Sequence, residues 1–155
     1  MDAFSQNLND LLVSVYQSIG RMEERMIRSS HSLDLTISEM HFLEAVGKNA
    51  GEYPKGKTIS ELAELQGITL PSVTLAVNKL VKKGYLLKEK SSEDGRVVFI
   101  TLTKRGQKVD HVHQYFHSKM VESVAMDLTE EEKAAMVKGI KKLNEYFEVK
   151  LKAGD

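Results

Sequence analysis

The sequence predicts a mainly α-helical protein with a small β-hairpin, organised as a winged helix-turn-helix domain plus long dimerisation helices. A short helical segment at 58–66 and a longer one at 69–83 are separated by a glycine-containing turn. Two β-rich segments, 85–90 and 97–102, follow at once and enclose a polar tip. A helix-turn-helix with a β-hairpin directly behind it is the winged-helix arrangement.

Residues 1–30 predict a single long amphipathic helix, because apolar side chains recur at intervals of three and four from Phe4 to Ile27. The segment 29–35 interrupts this pattern, and a second helix is predicted to begin near Thr36. The glycine and proline content of residues 49–57 predicts a loop.

The helix-turn-helix is marked by its capping residues. Thr58 and Glu61 have the spacing of a capping box, in which each side chain accepts a hydrogen bond from the backbone N–H of the other. Gly67 is predicted to end this helix, since glycine adopts positive φ without steric cost. The second helix is predicted to begin at Thr69 with Pro71 in its first turn, where a missing N–H costs nothing. Its apolar face comprises Val73, Val77, Leu80 and Val81.

The remaining elements follow from similar local signals. The segment 91–96 is too polar for a core and contains a glycine, which predicts the tip of the hairpin. A third long helix is predicted to begin within 102–106 and to end near Asp127. A second capping box, Thr129 with Glu132, predicts the start of the last helix.

Long amphipathic helices at both ends of a small domain would expose wide apolar stripes in a monomer. We therefore predict a homodimer built from the first and last helices, which also supplies two recognition helices for two half-sites. The predicted organisation is a single domain over 1–155, with a DNA-binding lobe at 36–104 and dimerisation helices at 1–30 and 105–155.

Composition supports one compact unit and excludes several classes of protein. A chain of 155 residues with 41% hydrophobic content can bury a core. The sequence has no cysteine, no apolar run of membrane-spanning length and no signal-peptide pattern, so we predict a cytoplasmic protein without a membrane partner. It also has no nucleophile elbow, phosphate-binding glycine loop or Cys–His pair, so we predict that it is not an enzyme.

Charge is distributed unevenly along the chain. Between Lys79 and Arg105 there are eight basic and three acidic residues, so this segment carries +5 and the remainder −5. Because neutralising phosphates releases condensed counterions, a locally basic face predicts binding to double-stranded DNA. A winged helix that binds protein instead is the remote alternative, although it would not need the basic helix and wing. The predicted base readers are Ser72, Thr74 and Asn78, the predicted phosphate contacts are Lys79 and Lys82, and Lys88 and Lys90 are further predicted DNA-binding residues.

The order of elements resembles the MarR family of winged-helix repressors. The wing sequence Ser-Ser-Glu-Asp94-Gly-Arg96-Val-Val is similar to the Asp-x-Arg wing signature of that family, and Leu102-Thr-Lys-Arg-Gly106 is similar to the LTxxG motif that begins its dimerisation helix. The resemblance implies an effector-responsive repressor that binds a pseudo-palindromic operator as an obligate dimer. It also implies that Asp94 holds the wing while Arg96 reaches the minor groove, where negative potential attracts arginine.

Within this family the segments 37–41, 95–98 and 113–122 look most similar to the fatty-acid-biosynthesis (FabT-type) branch. That resemblance implies an acyl chain on acyl carrier protein as co-repressor, control of fatty-acid synthesis genes and no required cofactor. Met22, Met26 and Met40 are candidates for the effector pocket, since flexible thioether side chains suit an acyl chain. The alternative is that they are ordinary core residues.

The histidines suggest a second kind of effector. His113 and His117 are four residues apart on one predicted helix, which is the spacing that two imidazoles need to share a tetrahedral ion. By resemblance to the zinc-responsive MarR repressors, Glu23 and His41 match the positions of the other ligands. A zinc site formed by these four residues is therefore the alternative to the acyl effector. A hydrogen-bonded polar cluster without metal is a third interpretation.

Overall fold

The computed structural model describes residues 1–153 of the chain. Its fold class is the predicted one, since the chain contains long helices, a helix-turn-helix and a small antiparallel sheet. The described chain forms two compact units, one from Met1 to His113 and one from Gln114 onward. The helices are α1 (Ala3–Ser29), α2 (Ile37–Gly47), α3 (Ile59–Gln66), α4 (Leu70–Lys82), α5 (Lys104–Met126) and α6 (Glu130–Ala153), and the strands are β1 (Lys57–Thr58), β2 (Leu86–Lys90) and β3 (Val98–Leu102).

The predicted helix boundaries are confirmed by the caps. Thr58 and Glu61 form the capping box of α3, with the Thr58 N–H donating to Glu61 Oε2 at 2.7 Å. Gly67 ends α3 with φ of 62°, in the left-handed region. Thr69 caps α4, and Pro71 lies in its first turn. These local signals place the two helices of the helix-turn-helix.

The sheet contains one strand more than the predicted hairpin. Its order is β1-β3-β2, with both pairs antiparallel. The predicted hairpin is confirmed as β2 and β3, in which Lys88 pairs with Ile100. The loop predicted for 49–57 differs from the structure, since it includes a 3₁₀ turn at Ala50–Glu52 and its last residue begins β1. A strand of two residues has no periodicity that sequence reading can detect.

The core lies between the helix-turn-helix, the sheet and the first turns of α5, and it includes one unexpected lysine. Lys57 is 1% exposed, and its ammonium donates to the backbone oxygens of Val46 and Lys48 at the end of α2. A cation there satisfies carbonyls that the helix cannot pair. The apolar core comprises Leu35, Met40, Phe42, Leu43, Val46, Leu62, Ala63, Val73, Val77, Leu80, Tyr85, Leu86, Ile100 and Val109.

A close backbone contact joins the wing to the start of α5. Thr103 Oγ1 donates to the Gly84 carbonyl at 2.7 Å and accepts from the Gly106 N–H at 3.1 Å. A Cβ at Gly106 would collide with the carbonyl oxygen of Tyr85. The motif at 102–106 therefore needs threonine as a cap and glycine for clearance.

The first and last helices, α1 and α6, expose the predicted apolar residues in the single chain. On α1, Phe4 is 74% exposed and Leu11 is 55% exposed. On α6, Ile140 is 50% exposed and Phe147 is 51% exposed. Among the residues that the structure describes, no helix is both long and apolar enough to span a membrane.

Candidate DNA-binding face and effector joint

The second helix of the helix-turn-helix presents a polar and basic face. Val73, Val77 and Leu80 are fully buried on the opposite side of α4. The exposed residues include all five of the helix positions that the sequence predicted for DNA binding. They are Ser72, Thr74, Asn78, Lys79 and Lys82, and Leu75 lies among them.

Two of the predicted base readers have partners within the chain. The Asn78 Oδ1 atom accepts from Lys88 Nζ at 2.9 Å, which connects α4 to the first wing strand. The Ser72 hydroxyl lies 2.9 Å from that of Thr69, the cap of the same helix. These contacts fix side-chain orientation on the exposed face before any partner binds.

The wing tip is held by its own side chains. Asp94 Oδ1 accepts from the backbone N–H of Arg96 at 3.0 Å, and Ser91 Oγ accepts from the N–H of Asp94 at 3.3 Å. Asp94 thus holds the backbone of the tip, while the Arg96 side chain is exposed. Lys90, at the end of β2, is also exposed.

Not every cation of the basic segment is directed outward. Lys83 donates to Glu39 Oε2 at 2.8 Å and to the Asp34 carbonyl at 2.6 Å. Arg105 donates to the carbonyls of Lys83 at 2.8 Å and Ser32 at 2.7 Å. The net charge of +5 on residues 79–105 therefore overstates the positive charge that is available to contact phosphates.

The Lys83 pair also affects the titration of its partner. Burial raises the pKa of Glu39, but the hydrogen bonds from Lys83 and the Thr36 N–H, together with the lysine charge, outweigh it, so the net pKa lies below its ordinary value. Glu39 is thus held ionised against the end of α4. The same carboxylate caps α2 by accepting from the Thr36 N–H at 3.0 Å.

A cavity of about 370 Å³ lies between α1, α2 and α5. Two of the three methionines predicted for an effector pocket, Met26 and Met40, line it, whereas Met22 does not and is 45% exposed. Two cations, Arg105 and Lys108, also belong to its lining. The other lining residues are Ile27, Ser29, Ser30, Ser32, Leu33, Val109 and Val112.

Three of the four predicted metal ligands meet in the first unit. Glu23 Oε1 lies 2.9 Å from His41 Nε2 and 3.0 Å from His113 Nε2. The other ring nitrogen of His113, Nδ1, lies 2.9 Å from Glu44 Oε2. Glu23 and His113 are buried, and His41 is exposed. Burial raises the pKa of Glu23, but its hydrogen bonds and charge interactions with His113 and His41 together outweigh this, leaving the net pKa below its ordinary value.

The fourth predicted ligand, His117, belongs to the second unit, where its ring lies 5.0 Å from that of Phe116. The three gathered side chains suit zinc by their chemistry. Their ligand atoms all lie within 4.8 Å of one another, and tetrahedral zinc holds its ligands about 3.3 Å apart. Glu44 would orient His113, because ligating histidines commonly direct their other nitrogen to a carboxylate.

Sequence reasoning missed several residues of this region. Glu44 has no distinguishing spacing in the sequence. Arg105 stands out there only as one of the basic residues at 79–105 and as a variable position of the LTxxG-like motif. Lys108 had no motif to mark it. The sequence indicates Tyr85 only as the start of a strand, whereas its hydroxyl donates to Asp34 at 2.9 Å. The partners of Glu44, Arg105 and Tyr85 are distant in the sequence, so only the fold reveals them.

Comparisons with known proteins agree with this architecture. Residues 26–112 match the family model described as transcriptional regulator SarA/Rot. The structure of FabT from Streptococcus pneumoniae in complex with DNA is similar, with a TM-score of 0.82 and 35% identity, over 93% of this chain and 97% of that chain.

Two regulators of Bacillus subtilis strain 168 are also similar in sequence. YfiV is 31% identical over 75% of this chain and 69% of its own length. YhjH is 31% identical over 55% of this chain, and the match spans 46% of YhjH, about half of that protein. Both are named as HTH-type transcriptional regulators, which confirms the expectation of a regulator rather than an enzyme.

Proposed function

The chain belongs to the winged-helix transcriptional regulators of the MarR type, and from that premise we propose that it represses transcription by binding a pseudo-palindromic operator as a homodimer. The observation that carries the proposal is the exposed face of α4, where short polar side chains lie between lysines. In the major groove such side chains hydrogen-bond base edges, while lysines contact phosphates. The Arg96 side chain at the wing tip would reach the adjacent minor groove.

The apolar surfaces of the first and last helices, α1 and α6, support the dimer. Phe4 and Leu11 on α1, and Ile140 and Phe147 on α6, are each at least half exposed in the single chain. Soluble monomers rarely expose such extended apolar stripes, and pairing two copies would cover them. A dimer would also place two copies of α4 on two half-sites.

DNA titrations at several salt concentrations test this assignment. Lys79→Ala and Lys82→Ala should each weaken binding to all sequences and reduce the salt slope by about one. Asn78→Ala should instead reduce discrimination between operator and scrambled duplex. Lys138→Ala, an exposed position on α6, is the matched control and should change neither quantity. If Lys79→Ala and Lys82→Ala weaken binding no more than this control does, α4 is not part of the interface.

We further propose that the effector is a long acyl chain presented by acyl carrier protein, and that the regulated genes are those of fatty-acid synthesis. The cavity supports this, because Met26, Met40 and Val109 give it flexible apolar walls. Arg105 and Lys108 add positive charge suited to the phosphate linker or to acidic groups of a carrier. Similarity to FabT favours the same branch.

Zinc is the second candidate effector, and the convergence of Glu23, His41 and His113 favours it. Operator titrations of metal-stripped protein distinguish the two candidates when zinc and acylated carrier protein are added separately. An acyl effector predicts a change in DNA affinity with the acylated carrier and none with a chelator. A response to zinc alone would reverse our preference.

A further inference from the structure

Leu75 occupies the centre of the exposed face of α4. It is two positions from each of Val73 and Val77, and two residues of α-helix correspond to a rotation of about 200°. Val73 and Val77 are fully buried, whereas Leu75 is 65% exposed. This leucine therefore points away from the core more directly than most of the polar residues predicted to bind DNA.

The surroundings of Leu75 indicate the chemistry of its partner. Thr74, Asn78 and Lys79 lie beside it on the exposed surface, and Lys88 reaches Asn78 from the wing. A surface that buries leucine against another protein would not gain from lysines on its margin, whereas phosphates on both sides of a groove would pair with them. Charge complementarity thus favours DNA as the partner of this face.

Only one of the four bases offers an apolar group in the major groove, namely thymine with its C5-methyl. We propose that Leu75 determines operator sequence by contacting thymine methyl groups, one or two in each half-site. Its side chain would discriminate against cytosine, whose N4 amino group would lose water without gaining a hydrogen bond. This inference rests on the proposed placement of α4 in the major groove.

Replacing thymine by deoxyuridine tests the contact, because it removes the methyl group and keeps every hydrogen-bonding group of the base. An operator is first selected from random duplexes with the wild-type protein, and each thymine is then replaced in turn. At the contacted positions the wild-type protein should bind about fourfold more weakly per half-site, which corresponds to about 0.8 kcal/mol for one methyl group removed from water. Leu75→Ala should bind the two duplexes equally well.

Leu65→Ala is the matched control, because Leu65 is also an exposed leucine, at 55%, but lies on α3 and not on α4. It should retain the wild-type sensitivity to deoxyuridine. Thermal unfolding and sedimentation of both variants check that fold and oligomeric state are unchanged. If no thymine is methyl-sensitive, if the sensitivity persists in Leu75→Ala, or if Leu75→Ala alters the oligomeric state, the inference is overturned.

Failure of this inference can be separated from failure of the proposed function. Asn78→Ala and Lys79→Ala are titrated on the same duplexes. If they change DNA binding while deoxyuridine has no effect, α4 still contacts DNA and only the role of Leu75 is wrong. If none of the α4 variants changes binding, both proposals fail.

Discussion

Arg105 is expected to couple the effector cavity to the DNA-binding helix. Its guanidinium lines the cavity and also donates to the carbonyl of Lys83, the residue that caps the end of α4. A second hydrogen bond reaches Ser32 in the connection between α1 and α2. A ligand that draws the guanidinium toward the cavity would therefore break a contact with the recognition helix. Arg105→Ala and Arg105→Lys test this role.

The expected loss of stability follows from the contacts. Each hydrogen bond from a charged donor contributes about 1.5–3 kcal/mol when buried. The Arg105 side chain is 46% exposed, which reduces that contribution through solvent screening. Its position 4.2 Å from the centre of the Tyr85 ring adds about 0.5–1 kcal/mol as a cation–π contact. Arg105→Ala should thus lower the free energy of unfolding by about 2 kcal/mol, measured by urea denaturation.

The functional readout is the change in operator affinity caused by carrier protein bearing a long acyl chain. In the wild-type protein this coupling should be about 1–3 kcal/mol, as is typical of allosteric regulators. Arg105→Lys keeps a charge at the cavity but cannot donate to two carbonyls in a fixed geometry. It should therefore bind the acylated carrier nearly normally and lose most of the coupling. Full coupling in this variant would refute the relay through Arg105.

Three further predictions concern the wing, the start of α5 and the buried cluster. Arg96→Ala should weaken operator binding by roughly 1–3 kcal/mol without unfolding the protein, and unchanged affinity would remove the wing from the mechanism. Gly106→Ala should lower the free energy of unfolding by about 1–3 kcal/mol, because the new Cβ would collide with the Tyr85 carbonyl. Gly139→Ala, with open space around its Cβ, should raise it by about 0.5–1 kcal/mol in the same urea assay. Equal effects of the two substitutions would contradict the clearance argument. Glu23→Gln should lower the free energy of unfolding by about 1–3 kcal/mol in metal-free buffer, since Glu23 is 3% exposed and bonded to two histidines; wild-type stability would contradict that bonding.

The sequence alone was sufficient to predict the elements whose structure is determined by residues close together in the chain. The capping box of Thr58 and Glu61, the positive φ of Gly67 and the hairpin after Gly84 each depend on residues close together in the chain. Short-range hydrogen bonds and steric limits determine such features, so their residue types signal them. The helix-turn-helix and wing could therefore be placed without coordinates.

The sequence was insufficient where partners are far apart. Arg105 binds the carbonyl of Ser32 across 73 positions, and His113 contacts Glu23 across 90. Lys57 looked like a surface lysine in a loop, yet its ammonium is buried against backbone oxygens that only the folded α2 presents. Backbone carbonyls have no sequence signature, because every residue has one. Contacts of this kind require the fold.

The cavity and the histidine cluster are both formed by α1, α2 and α5. Each of three helices supplies residues to both, so that movement of one helix changes both sites. The paired positions are Glu23 and Met26 on α1, His41 and Met40 on α2, and His113 and Val112 on α5. A ligand at either site acts only by binding one arrangement of these helices better than another. Such coupling is reciprocal. If an ion in the cluster changes the affinity of the cavity for an acyl chain by some factor, the acyl chain changes the affinity of the cluster for the ion by the same factor. If the cluster holds no ion, a chelator should leave the acyl response unchanged. If it does hold one, Met40 and His41, adjacent on α2, are where the two effects should meet.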